Sequence, residues 1–454
     1  MTAAAERHAT IVGYLPPSET DTSITARVSD AVLKVRVGRI WWLCALVAAG
    51  FTLALVIAIV VLFSAGIGII GVNSTVVWGY FIANYVWWIG IGNAGTLISA
   101  LLLLTRQSWR ASINRFAEAM TLFAVSIAGL FPILHLGRPM YFYWLAPYPN
   151  VMALWPQWRS ALVWDFWAIL SYLLFSLMFW YVGVIPDLAT LRDRATTRAG
   201  QLLYGAFALG WRNSARHWAR YERYYLAMAA LAVPLVCSVH SIVGLDFAAS
   251  LEPGWAEPIY PPYFVVGAMY SGFAMVVLLA AAMRRGFGFH PLVTDRHFEV
   301  MGRILLMAAI VMGLSYATEW FMAWYGGEHA ERDLVAFEFT GAYAPLYWAL
   351  LFCNVFAPQI LWLQMARRSM PLMIGVSLLI LVGMWLERIL IVWETLSHDY
   401  LPSAHRLYYP TPWDWVFLVA PFGFFALLFL VFARLVPVIA MHDVRRLRHE
   451  EGAA

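Results

Sequence analysis

The sequence predicts an all-α integral membrane protein with ten transmembrane helices, and three observations lead there. Hydrophobic residues make up 62 % of its 454 residues and charged residues 12 %, where soluble domains carry roughly 25 % charged residues. Apolar runs of the length that crosses a hydrocarbon core, about 20 residues, recur ten times along the chain. Basic residues gather in alternate gaps between the runs, as a fixed orientation in a membrane requires. A soluble enzyme, a disordered chain or a repeat solenoid cannot hide this much apolar surface. The net charge of +4 follows from charge placement around spans and does not point to nucleic acid as a partner.

Residues 1–40 precede the first run. With Pro16 and Pro17 they read as an extended tail that lies on a partner, and a mixed segment of that length is not a signal peptide. The first span, 41–66, is apolar throughout and ends among glycines. The second, 79–104, stops before Arg106 and Arg110. The third, 116–136, follows Arg115 and stops at Gly137-Arg138-Pro139. The fourth, 162–185, follows Arg159 and ends at Pro186-Asp187. The longest polar gap comes next and holds an interfacial helix around Leu203–Ala219. The fifth span is 225–248. The sixth, 262–283, lies between a proline pair and Arg284-Arg285. The seventh, 301–325, ends at a glycine pair, and the eighth, 340–364, contains Pro358. The ninth and tenth are 371–394 and 413–438, and 439–454 is a C-terminal tail. The gaps 137–161 and 395–412, rich in Pro, Tyr and Trp, read as ordered interfacial loops.

Arginines of the N-terminal tail, of the 105–115 and 192–223 gaps, of the 284–303 and 367–368 gaps and of the C-terminus fall on one side. The other side holds only Arg138, Arg159, Arg332 and Arg406. This asymmetry predicts a multi-pass protein of the bacterial inner membrane with both termini cytoplasmic.

An ionisable group inside a span costs at least about 2.5–3.5 kcal/mol on insertion scales, so each one asks for a reason. His135, Asp165, His240, Asp246, Glu319, Glu387 and Arg388 are the exceptions, and the topology gathers them all toward the outer half, as around one polar pocket. His135 ends the third span and Asp165, between Trp164 and Phe166, begins the fourth, so the two are expected to face each other across a compact loop. A histidine and a carboxyl across an apolar slot suit a two-electron, two-proton carrier such as a quinol. One group anchors a ring oxygen and the other takes up the proton. The bland alternatives are a helix stop at His135 and an N-cap or a partner to Arg159 at Asp165. His240 and Asp246, six residues apart, do not share a helix face. Tyr316 and Glu319 do, and look like a proton-relay fragment. Glu387 and Arg388 neutralise each other or other helices. Asn354 and Gln359 flank Pro358, where a broken helix admits water.

Cys44, Cys237 and Cys353 lie in apolar runs, with no CxxC or CxxCH, which argues against covalent haem, an iron–sulfur cluster or a metal site in this chain. A b-type haem between His135 and His240, and a secondary transporter with mid-membrane breaks, are the competing classes.

The blocks WWIGIGNAGTLISALLLLTRQSWR (87–110), HLGRP (135–139), SVHSIVGLDFA (238–248), PPYFVVGAMYSGFAM (261–275), YATEWFMAWYGG (316–327), FCNVFAPQ (352–359) and WLER (385–388) resemble the NrfD/polysulfide-reductase membrane-subunit family. The likeness is nearest to the ten-helix members of bacterial alternative complex III. The resemblance implies two parallel four-helix bundles, spans two to five and six to nine, plus two peripheral helices. It implies a subunit without a redox cofactor of its own that oxidises menaquinol or ubiquinol near the outer face, in a respiratory or photosynthetic chain. Electrons pass to a peripheral iron–sulfur, molybdopterin-like subunit and on to c-type haem subunits, beside a paralogous ten-helix subunit. It maps the quinol pocket onto His135, Gly137, Arg138 and Asp165, and a proton path onto His240, Asp246, Tyr316, Glu319, Glu387 and Arg388. Relatives often carry His where this chain has Asn93, and Asn cannot carry a proton. The paralogous proton-conducting subunit, with the same fold but no clear quinol site, is the runner-up, and a membrane anchor of another polysulfide-reductase-like oxidoreductase is the further alternative.

Overall fold

The structure, a computed structural model, describes residues 13–34 and 38–452. Among them there is no strand, and ten helices are long and apolar enough to cross a membrane. Spans one to five are Arg39–Ala65, Tyr80–Leu104, Asn114–Leu134, Ala161–Arg194 and Ala215–Ala248. Spans six to ten are Tyr260–Gly286, Asp295–Gly326, Ala344–Trp362, Met370–Ser397 and Pro412–Leu435. Each coincides with one expected from hydropathy.

The ends differ where helix continues through polar residues. Spans four and five are 34 residues each, about 51 Å at 1.5 Å per residue, well beyond a hydrocarbon core of about 30 Å. Hydropathy falls at Pro186 and recovers near Tyr225, yet the backbone stays helical between Pro186 and Arg194 and from Ala215 onward. The interfacial helix expected over Leu203–Ala219 is Arg198–Phe207. Leu209, Gly210 and Asn213, all at positive φ, break the chain after it, and Ser214 caps span five by accepting from the His217 N–H. A further helix, His329–Thr340, precedes span eight where the sequence reading has none. Its charged residues mask it from a hydropathy search.

The N-terminal tail is not extended over its described part. Asp21–Leu33 is a helix, closed by a capping box in which Thr20 and Ser23 satisfy each other's backbone N–H. Residues 1–12 and 35–37 of that tail and 453–454 of the other lie outside the described residues. The Asp21–Leu33 helix packs against the C-terminal helix Met441–Gly452. Arg448 and His449 bond Asp21 at 2.9 Å each, and Glu451 accepts from the Tyr14 and Leu15 N–H groups. The described ends of the chain thus lie on one face, as an even number of spans demands.

Span two is the axis. Almost all of it is buried, and it packs on spans three, five, six, nine and ten. Spans two to five close a ring of neighbours, and spans six to nine another. Two glycines set the close approach. A Cβ on Gly95 would lie 2.0 Å from the Ala117 carbonyl oxygen of span three, and one on Gly272 of span six 1.8 Å from the Ala94 Cβ. Such contacts are how helices associate in lipid, where packing must replace the hydrophobic effect. Span one, largely uncovered, is held against span ten.

Candidate functional site

Asp165 sits just past the first turn of span four, 1 % exposed. Its carboxyl adjoins the Asp246 carboxyl, from the last turn of span five, and the Tyr85 hydroxyl of span two. Neither Asp165 oxygen, nor the Tyr85 hydroxyl, nor Asp246 Oδ1 completes a hydrogen bond within the protein. Buried polar groups are nearly always satisfied, and these three lie within reach of one another, so a shared proton satisfies the cluster in part and leaves acceptor capacity over. The flanking tryptophans do not bury Asp165. Trp164 and Trp167 are both 37 % exposed, because adjacent helical residues point about 100° apart. Spans two and five do the burying.

His135 lies just past the last turn of span three, half-buried. Its Nδ1 returns to the Phe131 carbonyl at 2.9 Å, one turn back. It makes no hydrogen bond or ion pair with Asp165 among the described residues, and the carboxyl that adjoins Asp165 is that of Asp246. Gly137 and Arg138 are exposed beside it, Gly137 with open space around its Cα, and lead into the aromatic turn Pro139–Leu145.

His240 and Asp246 share span five but not neighbours, as their spacing requires. His240 Nδ1 meets the Asn93 amide, and its Nε2 is unpartnered. Tyr85 faces Asp246 while Asn93 faces His240, the order two antiparallel helices impose. From Asn93 a polar line continues down span two. The Thr96 hydroxyl donates to Ser176 at 3.2 Å, the Thr121 hydroxyl donates to the Gly92 carbonyl at 2.6 Å, and Ser99 donates to Glu118.

The second ring of helices holds its own cluster. Glu387 accepts from the Tyr316 hydroxyl, and from Asn354 Nδ2 at 3.3 Å, and pairs with Arg388 at 2.8 Å. Arg388 also stacks 4.1 Å over Phe264. Glu319 joins them by lining one cavity of about 30 Å³ with Tyr316, Glu338, Glu387 and Glu394, room for about one water. Span eight breaks as Pro358 suggests, but ahead of it. The π-turn Phe352–Phe356 frees the Asn354 carbonyl, which accepts from the Tyr270 hydroxyl at 3.0 Å, while Gln359 folds back on the Val355 carbonyl.

One expectation needs correcting. Buried charge is not confined to the end of the helix bundle that holds Asp165 and His135. Arg115, counted in a loop by sequence, is 2 % exposed in span three and bonds Asp187 at 3.0 Å and the Gly183 carbonyl at 2.7 Å. Glu118 accepts from Tyr225 at 2.8 Å, and Arg110 and Asn114 hold Asp443 at 3.2 and 2.7 Å. These groups escape the sequence reading because they sit at span ends, where charge looks solvated, whereas the long fourth and fifth spans bury them.

A family model described as Polysulphide reductase, NrfD matches residues 68–397. The chain belongs to the NrfD polysulphide reductase family. The match takes in spans two to nine, both rings, and leaves out the peripheral first and tenth spans. Among relatives of this NrfD-type chain, a putative dimethyl sulfoxide reductase membrane subunit from Halobacterium salinarum is 24 % identical over 237 residues. That alignment spans 52 % of this chain and 49 % of the relative, so it covers about half of that protein's length. A selenate reductase subunit from Mesobacillus selenatarsenatis is 23 % identical over 402 residues, 84 % of this chain and 91 % of the relative.

Besides the Arg110, Arg115 and Asp443 network, sequence reasoning on this NrfD-family chain missed the buried Tyr85, Glu118, Asp187 and Glu394 and the half-buried Glu338. Only Asn93, Thr96 and Ser99, spaced three apart and therefore near one helix face, left a readable trace in span two.

Proposed function

We propose that this chain is the quinol-oxidising membrane subunit of a quinol:electron-acceptor oxidoreductase of the alternative complex III type. It binds menaquinol or ubiquinol near the outer face and works with a peripheral iron–sulfur subunit, c-type haem subunits and a paralogous ten-helix subunit. The observation that carries this is Asp165, both of whose buried oxygens lack protein partners beside a second carboxyl and a tyrosine hydroxyl. Oxidation of a quinol releases two protons and two electrons. The electrons leave the chain, and the protons need acceptors at the hydroxyls. Asp165 takes the first and Asp246 lies next to it to relay or receive the second. Tyr85 holds the slot's apolar wall polar at one point. His135, whose second ring nitrogen has no protein partner, anchors the opposite oxygen, with Gly137 leaving room and Arg138 beside it. His240, Tyr316, Glu319, Glu387 and Arg388 are read as a proton path, and the two helix rings as parallel halves of a duplicated unit. We place both termini, and the flanking tails, in the cytoplasm.

A second reading, a proton-conducting paralogue without quinone turnover, draws on the line Asn93, Thr96, Ser99 and Glu118. The two separate in the assembled complex. Asp165→Asn keeps size and hydrogen bonding but cannot accept a proton, so quinol:acceptor turnover falls at least about tenfold, and His135→Ala chiefly raises the KM for quinol. Full turnover in Asp165→Asn refutes the quinol reading. Intact turnover combined with lost proton flux in Glu118→Gln supports the paralogue.

A further inference from the structure

On the face where the chain ends meet, a cleft of about 1820 Å³ opens between span two, span five and the C-terminal helix. Its inner wall is apolar and built from span ends: Leu103 and Leu104 close span two, and Leu226 and Ala230 belong to span five, with Leu104 and Leu226 exposed. Its rim is cationic. Arg106, Arg223 and Arg445 line it, and the acids nearby are already engaged. Asp21 bonds Arg448 and His449, Asp443 bonds Arg110 and Asn114, and Glu222 and Glu450 both meet Arg446.

The three rim arginines have donors to spare. Arg223 and Arg445 use only Nε, on the Ala219 and Met441 carbonyls, and Arg106 has no side-chain partner among the described residues. Arg106 is held there at φ 54, a left-handed conformation that costs a non-glycine residue strain. At the base lies Arg110, 9 % exposed, whose Nη1 is buried without any partner. A guanidinium N–H without a partner, on a residue lining a cleft rimmed by arginines with spare donors, calls for an anion. An apolar wall directly beneath calls for hydrocarbon.

We propose that this cleft binds one anionic glycerophospholipid of the adjoining leaflet. Its acyl chains lie along Leu104, Leu226 and Ala230, and its phosphate sits among Arg106, Arg223 and Arg445 above Arg110 Nη1. Guanidinium forks match phosphate oxygens in pairs, and basic pockets between spans on the cytoplasmic side are where anionic headgroups collect. The site is remote from Asp165 and stands independently of the quinol reading.

Native mass spectrometry of the full-length chain tests it, after exchange into detergent containing phosphatidylglycerol or phosphatidylcholine at equal load, with inorganic phosphate as a third arm. We expect one phosphatidylglycerol retained per chain, little phosphatidylcholine, and no displacement by phosphate. Replacing Arg106, Arg223 and Arg445 by Gln weakens retention by about fivefold for each arginine lost. Leu226→Trp keeps every arginine but fills the acyl half, and it too lowers retention, so loss in both variants cannot be laid to one misfolded protein. Equal retention of the two lipids, or undiminished phosphatidylglycerol in the arginine variant, overturns the proposal. So does displacement by phosphate or full retention in Leu226→Trp, either of which makes the ligand a soluble anion.

Discussion

Asp165 and Asp246 come from near the start of one helix and the last turn of the next, so their carboxyls meet at a common depth. If they serve one proton-accepting unit, their losses do not add. Asp246→Asn should lower quinol turnover by about tenfold, and the Asp165→Asn/Asp246→Asn double variant should fall no further than the worse single one, as for other groups that act together. Steady-state rates in the assembled complex decide it, and simple multiplication of the two losses would show independent roles. Asp165 itself was legible in the sequence, because a carboxyl in an apolar run is costly enough to need a reason. Its partner was not, since nothing along the chain tells which distant helix arrives beside it. On the opposite face Asp443 makes a separate test. Burial alone would push its carboxyl up, but Arg110, with His442, Asn114 and Arg115, holds it down at about 2. The unfolded value is near 3.9, so the pairing stabilises the fold fully above about pH 4, and that contribution is lost as pH falls through about 2. Thermal unfolding in detergent should follow this for the wild type. Asp443→Asn should be less stable at neutral pH by about 3–5 kcal/mol, having left Arg110 buried and unpaired, and should lack the acid-dependent loss.

At the level of the helices, all ten spans were legible because lipid imposes a length and a composition that few other environments do. What hydropathy does not report is where a helix stops once it has left the hydrocarbon. That is why the ends of spans four and five, the Arg198–Phe207 helix and the His329–Thr340 helix were misplaced or missed. The glycines of the GIGNAGT block have a packing role that the motif alone does not disclose. Gly95 allows the backbones of spans two and three to touch, whereas Gly375 of span nine has open space about its Cα. Gly95→Val should cost about 1–3 kcal/mol or more through overpacking. Gly375→Ala should be neutral or stabilise by up to about 1 kcal/mol through helix propensity. Melting temperatures of the two purified variants give the comparison, and a tolerant Gly95 would mean the helices separate easily.

For the molecule as a whole, the clasp between Asp21–Leu33 and Met441–Gly452 puts both described ends on one face. Reporter fusions at the two termini should therefore agree in sidedness, and the arginine distribution predicts that both read cytoplasmic. A C-terminal fusion active only outside the membrane would mean that the charge pattern misleads. The same face carries the buried network of Arg110, Arg115, Asp187 and Asp443, so the tails close over charges that would otherwise meet solvent.

The central position of span two also has a meaning in time. Its Asn84 receives the Trp385 indole N–H and donates to the Phe417 carbonyl, and Trp87 donates to the Leu381 carbonyl. Those partners emerge from the ribosome some three hundred residues later. During synthesis Asn84 and the Trp87 indole of the second helix wait unanswered until the ninth and tenth arrive, so a nascent chain stopped after the eighth has no finished core and is a natural substrate for quality-control proteolysis.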